Sequence, residues 1–530
     1  PMPIRLFRAL ALPCTLLLSP VLLAPPAAAA PGPFQAAAAA SAAPAAAQDP
    51  GADERADEHA PVERSGQVET PTGVLEYQTL TGTLPLATEQ GKPRARVFFV
   101  YYRLKGGGPE RPLTVSFNGG PGSSSVWLHL GIFGPRRVDL GAEGFDLARP
   151  YRLVPNAHTL LAHSDVVFVD PVTTGFSRAE EGVDASEFHG VEEDVNAVGQ
   201  FVRLFLTRQE RWSSPLFLAG ESYGTTRAAL LCHHLQERYG IYPSGLVLVS
   251  SILNFQTARF DTGNDLPYAL FLPTYTALAA FHGRLDAELS ADLDATLREV
   301  EEFARGEYSL ALMRGAKLPP EQRAALASKL ARYTGLSDEY VLSTGLRIQI
   351  QRFVKELRRA EGLTIGRLDG RYLGSDRDSA GENYEYDPSY AAIYGPYAMA
   401  MNDYVRRELG YQSDLPYEIL TSRVQPWSYR GSQNVYLNAA ESLRAAMSRN
   451  RTLKVHVASG LHDLATPYFA TEYTFDHLNL PPELAGNISH SLYAAGHMMY
   501  VKRSCLAELA DALARFYAET LASGRTPEPR

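Results

Sequence analysis

The stretch Leu216-Phe217-Leu218-Ala219-Gly220-Glu221-Ser222-Tyr223-Gly224 decides how this chain folds. Leu216–Ala219 is a short apolar run suited to a buried strand. After Ser222 the period changes: Ala228, Leu231, Cys232 and Leu235 recur at helical spacing, and Gly240 is placed as a C-terminal stop. A strand turning directly into a helix crowds its own backbone. Glycines on both flanks relieve the crowding, and the serine oxygen is lifted clear of the sheet. Working outward, Leu113–Phe117, Val166–Val169, Leu246–Val249 and Val455–Ala458 are further compact apolar segments, and Arg96–Tyr102 is β-like. Between them, Val195, Val198, Val202 and Phe205 mark an amphipathic helix, as do Leu506, Leu509, Leu513 and Phe516 near the C-terminus. Strands alternating with helices predict an α/β fold around a mostly parallel sheet.

A serine at such an elbow needs a base, and the base needs an orienting acid. Downstream, Lys454–Ala458 runs into Ser459-Gly460-Leu461-His462-Asp463, which puts Asp463 in a loop at a strand's C-terminal end. Ala494-Ala495-Gly496-His497-Met498 follows about thirty residues later, and His497 is the natural base. His462 competes for that role but precedes the acid. Asn118-Gly119-Gly120-Pro121-Gly122-Ser123-Ser124-Ser125, directly after Leu113–Phe117, offers glycines whose backbone N–H groups can approach a developing oxyanion.

Together these pieces resemble the serine carboxypeptidase family, in the manner of a secreted bacterial-type member. Asp170-Pro171-Val172-Thr173-Thr174-Gly175-Phe176-Ser177 looks like that family's strand-end loop. The resemblance implies an α/β-hydrolase fold with a largely helical cap insertion. It implies Ser222 as nucleophile, His497 as general base then acid, and Asp463 as orienting acid. The backbone N–H groups of Gly120 and Tyr223 would form the oxyanion hole. Asn118, Gly119 and Glu221 would bind the substrate's free C-terminal carboxylate, with a protonated Glu221 donating to it at acidic pH. Peptide or protein C-termini are the implied substrate, and no metal or organic cofactor is implied.

Two positions depart from the family. Ser123 stands where a cysteine is usual, so a disulfide is lost there. Ile132 stands where a second glutamate precedes the Gly-Pro seen here as Gly134-Pro135. Ile132 cannot hydrogen-bond, so carboxylate binding becomes weaker, less acid-dependent, or reliant on a cation such as Arg136 or Arg137. Esterase or acyltransferase chemistry on the same triad is the alternative reading. A noncatalytic binding protein on this scaffold conflicts with the intact Ser222, Asp463 and His497.

The 530 residues are 45% hydrophobic and 21% charged, which excludes a wholly disordered chain and leaves room for a large core. A net charge of −9 without a basic block argues against nucleic-acid binding. Cys14, Cys232 and Cys505 are too few for a disulfide scaffold and lack zinc spacing. Arg5 and Arg8, an apolar run over Ala9–Leu23 and Ala-x-Ala options predict a signal peptide over 1–30, hence a secreted or periplasmic protein without stable membrane insertion. Residues 31–65, Ala/Pro-rich then acidic, read as a disordered linker. The catalytic domain then occupies 66–255 and 426–530, interrupted by a cap insertion over 256–425. Nothing in the sequence specifies an oligomeric state.

Weaker signals have plainer readings. Asp376-Arg377-Asp378 begins like a calcium loop, but Ala380 offers no oxygen and Asp387 falls where glutamate is required, so a solvated acidic loop fits better. Cys232-His233-His234 points in diverging directions on a helix and suits no shared ion. The tyrosines at 384, 386, 390, 394, 397 and 404 either pack the insertion or line a substrate groove, with packing favoured.

Overall fold

The computed structural model describes residues 61–523. Its centre is a ten-stranded sheet. In chain order the strands are β1 (Val62–Thr70), β2 (Gly73–Ala87), β3 (Pro93–Leu104), β4 (Leu113–Phe117), β5 (Asp165–Val169), the short β6 (Arg178–Ala179), β7 (Leu216–Ser222), β8 (Gly245–Ser251), β9 (Lys454–Gly460) and β10 (Ile488–Tyr493). They lie in the order β1-β2-β3-β5-β4-β7-β8-β9-β10, with β6 paired to β3. From β5 to β10 every pairing is parallel, whereas β1, β2 and β3 are antiparallel. The mostly parallel sheet is as expected. The parallel strands β4, β5, β7 and β8 are buried almost throughout, which is why they read as unbroken apolar runs.

Helices cover both faces. The longer ones are α1 (Val191–Arg208), α2 (Tyr223–Tyr239), α3 (Leu266–Phe281), α4 (Leu293–Phe303), α5 (Pro320–Thr334), α6 (Ile350–Glu356), α7 (Pro388–Arg407), α8 (Ala440–Arg449), α9 (Tyr468–Asp476) and α10 (Arg503–Ser523). On one face Phe201 and Phe205 of α1 pack against Phe99 of β3, with ring centroids 5.9 and 5.6 Å away. On the other, Tyr517 of α10 stacks on Phe217 of β7 at 4.2 Å. Alternate residues of β3 feed the two cores: Phe98, Val100 and Tyr102 one, Val97, Phe99 and Tyr101 the other. Each buried aromatic or leucine contributes roughly 1.5–3 kcal/mol.

The segment between β8 and β9 is largely helical and builds a third core, in which Tyr275 of α3 stacks on Phe353 of α6 at 4.0 Å. α7 instead packs onto the sheet side, and buried Tyr404 shares a 2.9 Å hydroxyl hydrogen bond with Tyr102 of β3. Tyr397 is buried too, whereas Tyr386 and Tyr394 are exposed.

Two sequence expectations need adjustment, and one question the sequence leaves open is answered. β1 takes in residues 62–65, which composition places in the linker; antiparallel pairing to β2 satisfies this backbone, and Val62 packs against the core. The acidic loop at Asp376 is not simply solvated, because Asp376 accepts a 2.5 Å bond from the buried Lys355 ammonium and another from Thr364. Cys232 and Cys505 are buried and unpaired. The predicted signal peptide, and the linker up to residue 60, lie outside the described residues.

Candidate active site

Ser222 ends β7 and caps α2 with φ 59° and ψ −129°, a left-side conformation that a non-glycine residue adopts only under tight constraint. The flanking glycines are steric necessities. A Cβ on Gly220 would stand 2.1 Å from the carbonyl oxygen of Gly224, and one on Gly224 would stand 2.9 Å from that of Phe117. Gly119 lies against the same turn, where a Cβ would meet Tyr223 N at 2.4 Å. Tyr223 opens α2, so its N–H belongs to the first turn that lacks an intrahelical acceptor. Gly120, at φ 100°, completes the approach of the glycine loop to the elbow.

His497 and Asp463 meet as their order predicts. His497 Nδ1 lies 2.7 Å from Asp463 Oδ2. Asp463 is fully buried and also accepts from the N–H groups of Ala465 and Thr466 and from the Thr466 hydroxyl, at 2.7, 3.1 and 2.7 Å. Burial alone would raise the Asp463 carboxyl; the adjacent imidazole and these donors hold it below its ordinary value. Burial likewise opposes charge on His497, but Asp463 outweighs it and holds the imidazole above its ordinary value. His462, the competitor, is buried elsewhere, its ring 5.4 Å from that of Phe281, and burial pushes it down to about 4. It lines neither cavity at Ser222.

The carboxyl of Glu221, next to Ser222, is buried. Its Oε1 accepts from Asn118 Nδ2 at 3.0 Å and its Oε2 from the Tyr500 hydroxyl at 2.5 Å. Burial pushes it up to about 7, although His497 and the two hydrogen bonds pull the other way. Asn118 is itself pinned: its Oδ1 accepts from Leu128 N at 3.1 Å, and its carbonyl accepts from Arg227, which ion-pairs with buried Asp194 at 2.7 Å. The loop after β5 supports the glycine segment, since Asp170 Oδ1 accepts from Ser125 N at 2.8 Å.

Ser222 opens onto two cavities. The smaller, about 190 Å³, is lined by Gly119, Gly120, Glu221 and His497, with Trp127, Ile393, Leu420 and Met498 forming an apolar wall. The larger, about 480 Å³, extends past Gly120 and Tyr223 to Phe255, Arg259, Asp261 and Gln351. Tyr390 lines the smaller cavity, so one of the clustered tyrosines reaches the site while others pack. Among the described residues no cluster of side chains could hold a metal ion.

Sequence reading missed two contributions. Tyr500 was unremarkable three residues after His497, without a motif of its own. The 366–371 loop of the insertion carries no sequence signal, yet it holds His497: His497 N donates to Leu368 O at 2.7 Å, and Gly496 N to Asp369 Oδ2 at 3.1 Å. Residues 418–421, also expected as cap, hydrogen-bond to the glycine loop and to Gly175. Arg136 and Arg137 are not at the site, being ion-paired with Glu408 and Asp139 at 2.7 and 3.6 Å. Ile132 lines a separate cavity with Leu160 and Leu513.

Comparison with known proteins identifies the family. The profile of the family described as serine carboxypeptidase matches residues 72–491. Serine carboxypeptidase-like 8 of Arabidopsis thaliana is 27% identical over 28% of this chain and 33% of its own length. The pheromone-processing carboxypeptidase KEX1 of Yarrowia lipolytica is 31% identical over 30% of this chain and 24% of its own. The chain thus matches about a third or less of the length of these two relatives. The crystal structure of a prohormone-processing carboxypeptidase from Saccharomyces cerevisiae superposes with a TM-score of 0.52 at 16% identity, covering 83% of this chain and 91% of that one, which is a likeness of fold. With a profile match running from β1–β2 to β10, the chain belongs to the serine carboxypeptidase family.

Proposed function

We propose that the protein is a serine carboxypeptidase that removes C-terminal residues through an acyl-enzyme on Ser222. The observation that carries this reading is a buried carboxyl, Glu221, on the wall of the small cavity shared by Ser222 and His497. A protonated Glu221, with Asn118 and Gly119, suits the terminal carboxylate of a peptide; an ionised one would repel it.

In this reading Ser222 Oγ attacks the carbonyl carbon of the last peptide bond while His497 Nε2 takes its proton. Asp463, on Nδ1, fixes the tautomer and stabilises the imidazolium. The oxyanion faces the N–H groups of Gly120 and Tyr223. The C–N bond then breaks as His497 returns the proton to the departing amine, releasing the terminal amino acid. Water, deprotonated by His497, attacks the acyl carbon; the C–O bond breaks and Ser222 regains its proton. The largely helical insertion acts as the cap that shapes both cavities. Export fits the leader pattern, and among the described residues no helix is long and apolar enough to cross a membrane.

The test is amino-acid release from an N-blocked dipeptide, with its C-terminal amide for comparison and Ser222→Ala as blank. Release that needs Ser222 and a free carboxylate establishes the activity. Turnover of esters without release from peptides would instead assign the triad to an esterase or acyltransferase.

A further inference from the structure

The small cavity contains one unpartnered cation. Arg367, on the insertion loop, lines both cavities at Ser222, and it is the one lysine or arginine lining the smaller among the described residues. Among the described residues its guanidinium makes no hydrogen bond, ion pair or ring contact, in contrast to the site's other arginines. Arg227 pairs with Asp194, and Arg259 of the larger cavity lies over the Phe255 ring at 5.8 Å. The backbone beneath Arg367 is firmly held. Its N–H donates to Asp387 Oδ1 at 3.0 Å, and its carbonyl accepts from Leu464 N, next to the acid, at 3.1 Å. The following residue, Leu368, accepts from His497 N. The loop therefore carries Arg367 on a backbone hydrogen-bonded to both the Asp463 loop and the His497 loop.

We infer that Arg367 is a substrate-binding residue that receives the C-terminal carboxylate of the peptide, supplying positive charge in the small cavity that Glu221 also lines. This deepens the carboxypeptidase reading and rests on it. The larger cavity already holds an acid, Asp261, beside its own arginine, whereas in the smaller one Glu221 stands among apolar side chains that suit the departing residue. A carboxylate entering there meets Glu221, itself held by Asn118, and Gly119. Arg367 offers a charge-assisted partner of planar, fork-shaped geometry. Removing the guanidinium breaks no hydrogen bond, ion pair or ring contact among the described residues.

The experiment is calorimetric binding of an N-blocked dipeptide acid and its amide to Ser222→Ala protein, with and without Arg367→Gln or Arg367→Lys. The acid should bind more tightly than the amide. Arg367→Gln should weaken the acid about 10- to 100-fold while leaving the amide unchanged, and Arg367→Lys should restore part of the loss. Equal binding of acid and amide by the Arg367 protein, or an acid preference that survives Arg367→Gln, overturns the inference. So does a loss confined to peptides with an acidic penultimate residue, which would place Arg367 on the other side of the scissile bond. Because binding is read without turnover, failure of the enzyme with Ser222 intact to release amino acids rejects the carboxypeptidase reading separately.

Discussion

The hydroxyl of Tyr500 donates a 2.5 Å hydrogen bond to Oε2 of Glu221, on the side of the carboxyl opposite Asn118. A neutral phenol thus partners the buried glutamate next to Ser222. A phenol cannot share a proton with a carboxyl as a second carboxyl would; burial raises Glu221, and His497 and these two neutral donors pull the other way.

Two ionisations should therefore pull the pH profile in opposite directions. His497 must be neutral to act as base and is held above its ordinary value, so ester turnover rises with pH to a plateau. Glu221 is protonated below about 7, so KM for peptide acids should climb as pH rises through that point. Glu221→Gln can donate but not titrate. Steady-state kinetics between about pH 5 and pH 8 should show a flat KM for the acid substrate in this variant.

Removing the Tyr500 hydroxyl should move that titration. The phenol favours the ionised carboxylate, so Tyr500→Phe raises the Glu221 value further. The pH at which KM for peptide acids begins to climb should rise by about one unit, with ester kcat nearly unchanged. An unmoved profile would remove Tyr500 from the recognition machinery.

The same carboxyl carries a stability signature. Its folded value lies above its unfolded one, so its contribution is fully present below the unfolded value, near 4.5, and is lost as pH rises through about 7. Thermal denaturation of Glu221→Gln should match the parent at acidic pH and exceed it by on the order of a few degrees at alkaline pH.

Asp463→Asn should retain the fold, because Asn can still accept from Ala465 and Thr466, but it leaves His497 in the wrong tautomer. Single-turnover acylation should slow by about 10³- to 10⁴-fold, read as the rate of fluorophosphonate labelling at Ser222.

The Arg227–Asp194 pair should be structural. Both side chains are buried, and Arg227 also holds the carbonyl of Asn118. Arg227→Ala leaves Asp194 buried and uncompensated, a cost of about 3–5 kcal/mol in denaturant melts. Replacing both partners by apolar residues should recover much of it.

Much of the site was legible because its elements answer local requirements. A strand-to-helix turn at Ser222 demands glycines at 220 and 224, and an acid and a base at strand ends follow in a fixed order, so the elbow, Asp463 and His497 could be read along the chain. Other assignments depend on distance. His462 and His497 are both histidines in glycine-containing loops, and only packing put the first against Phe281 and the second on Asp463. Arg136 and Arg137 were near the altered Ile132 in sequence but pair elsewhere. What the sequence by itself determined was therefore the backbone geometry and chemical types of the triad, because φ, sterics and strand or helix periodicity act over a few residues. What only the tertiary structure decided was the surroundings of Glu221 and His497: Tyr500, Arg367 and the 366–371 loop. Burial and hydrogen-bond partnership are properties of neighbours brought together across more than a hundred residues, and no local pattern encodes them.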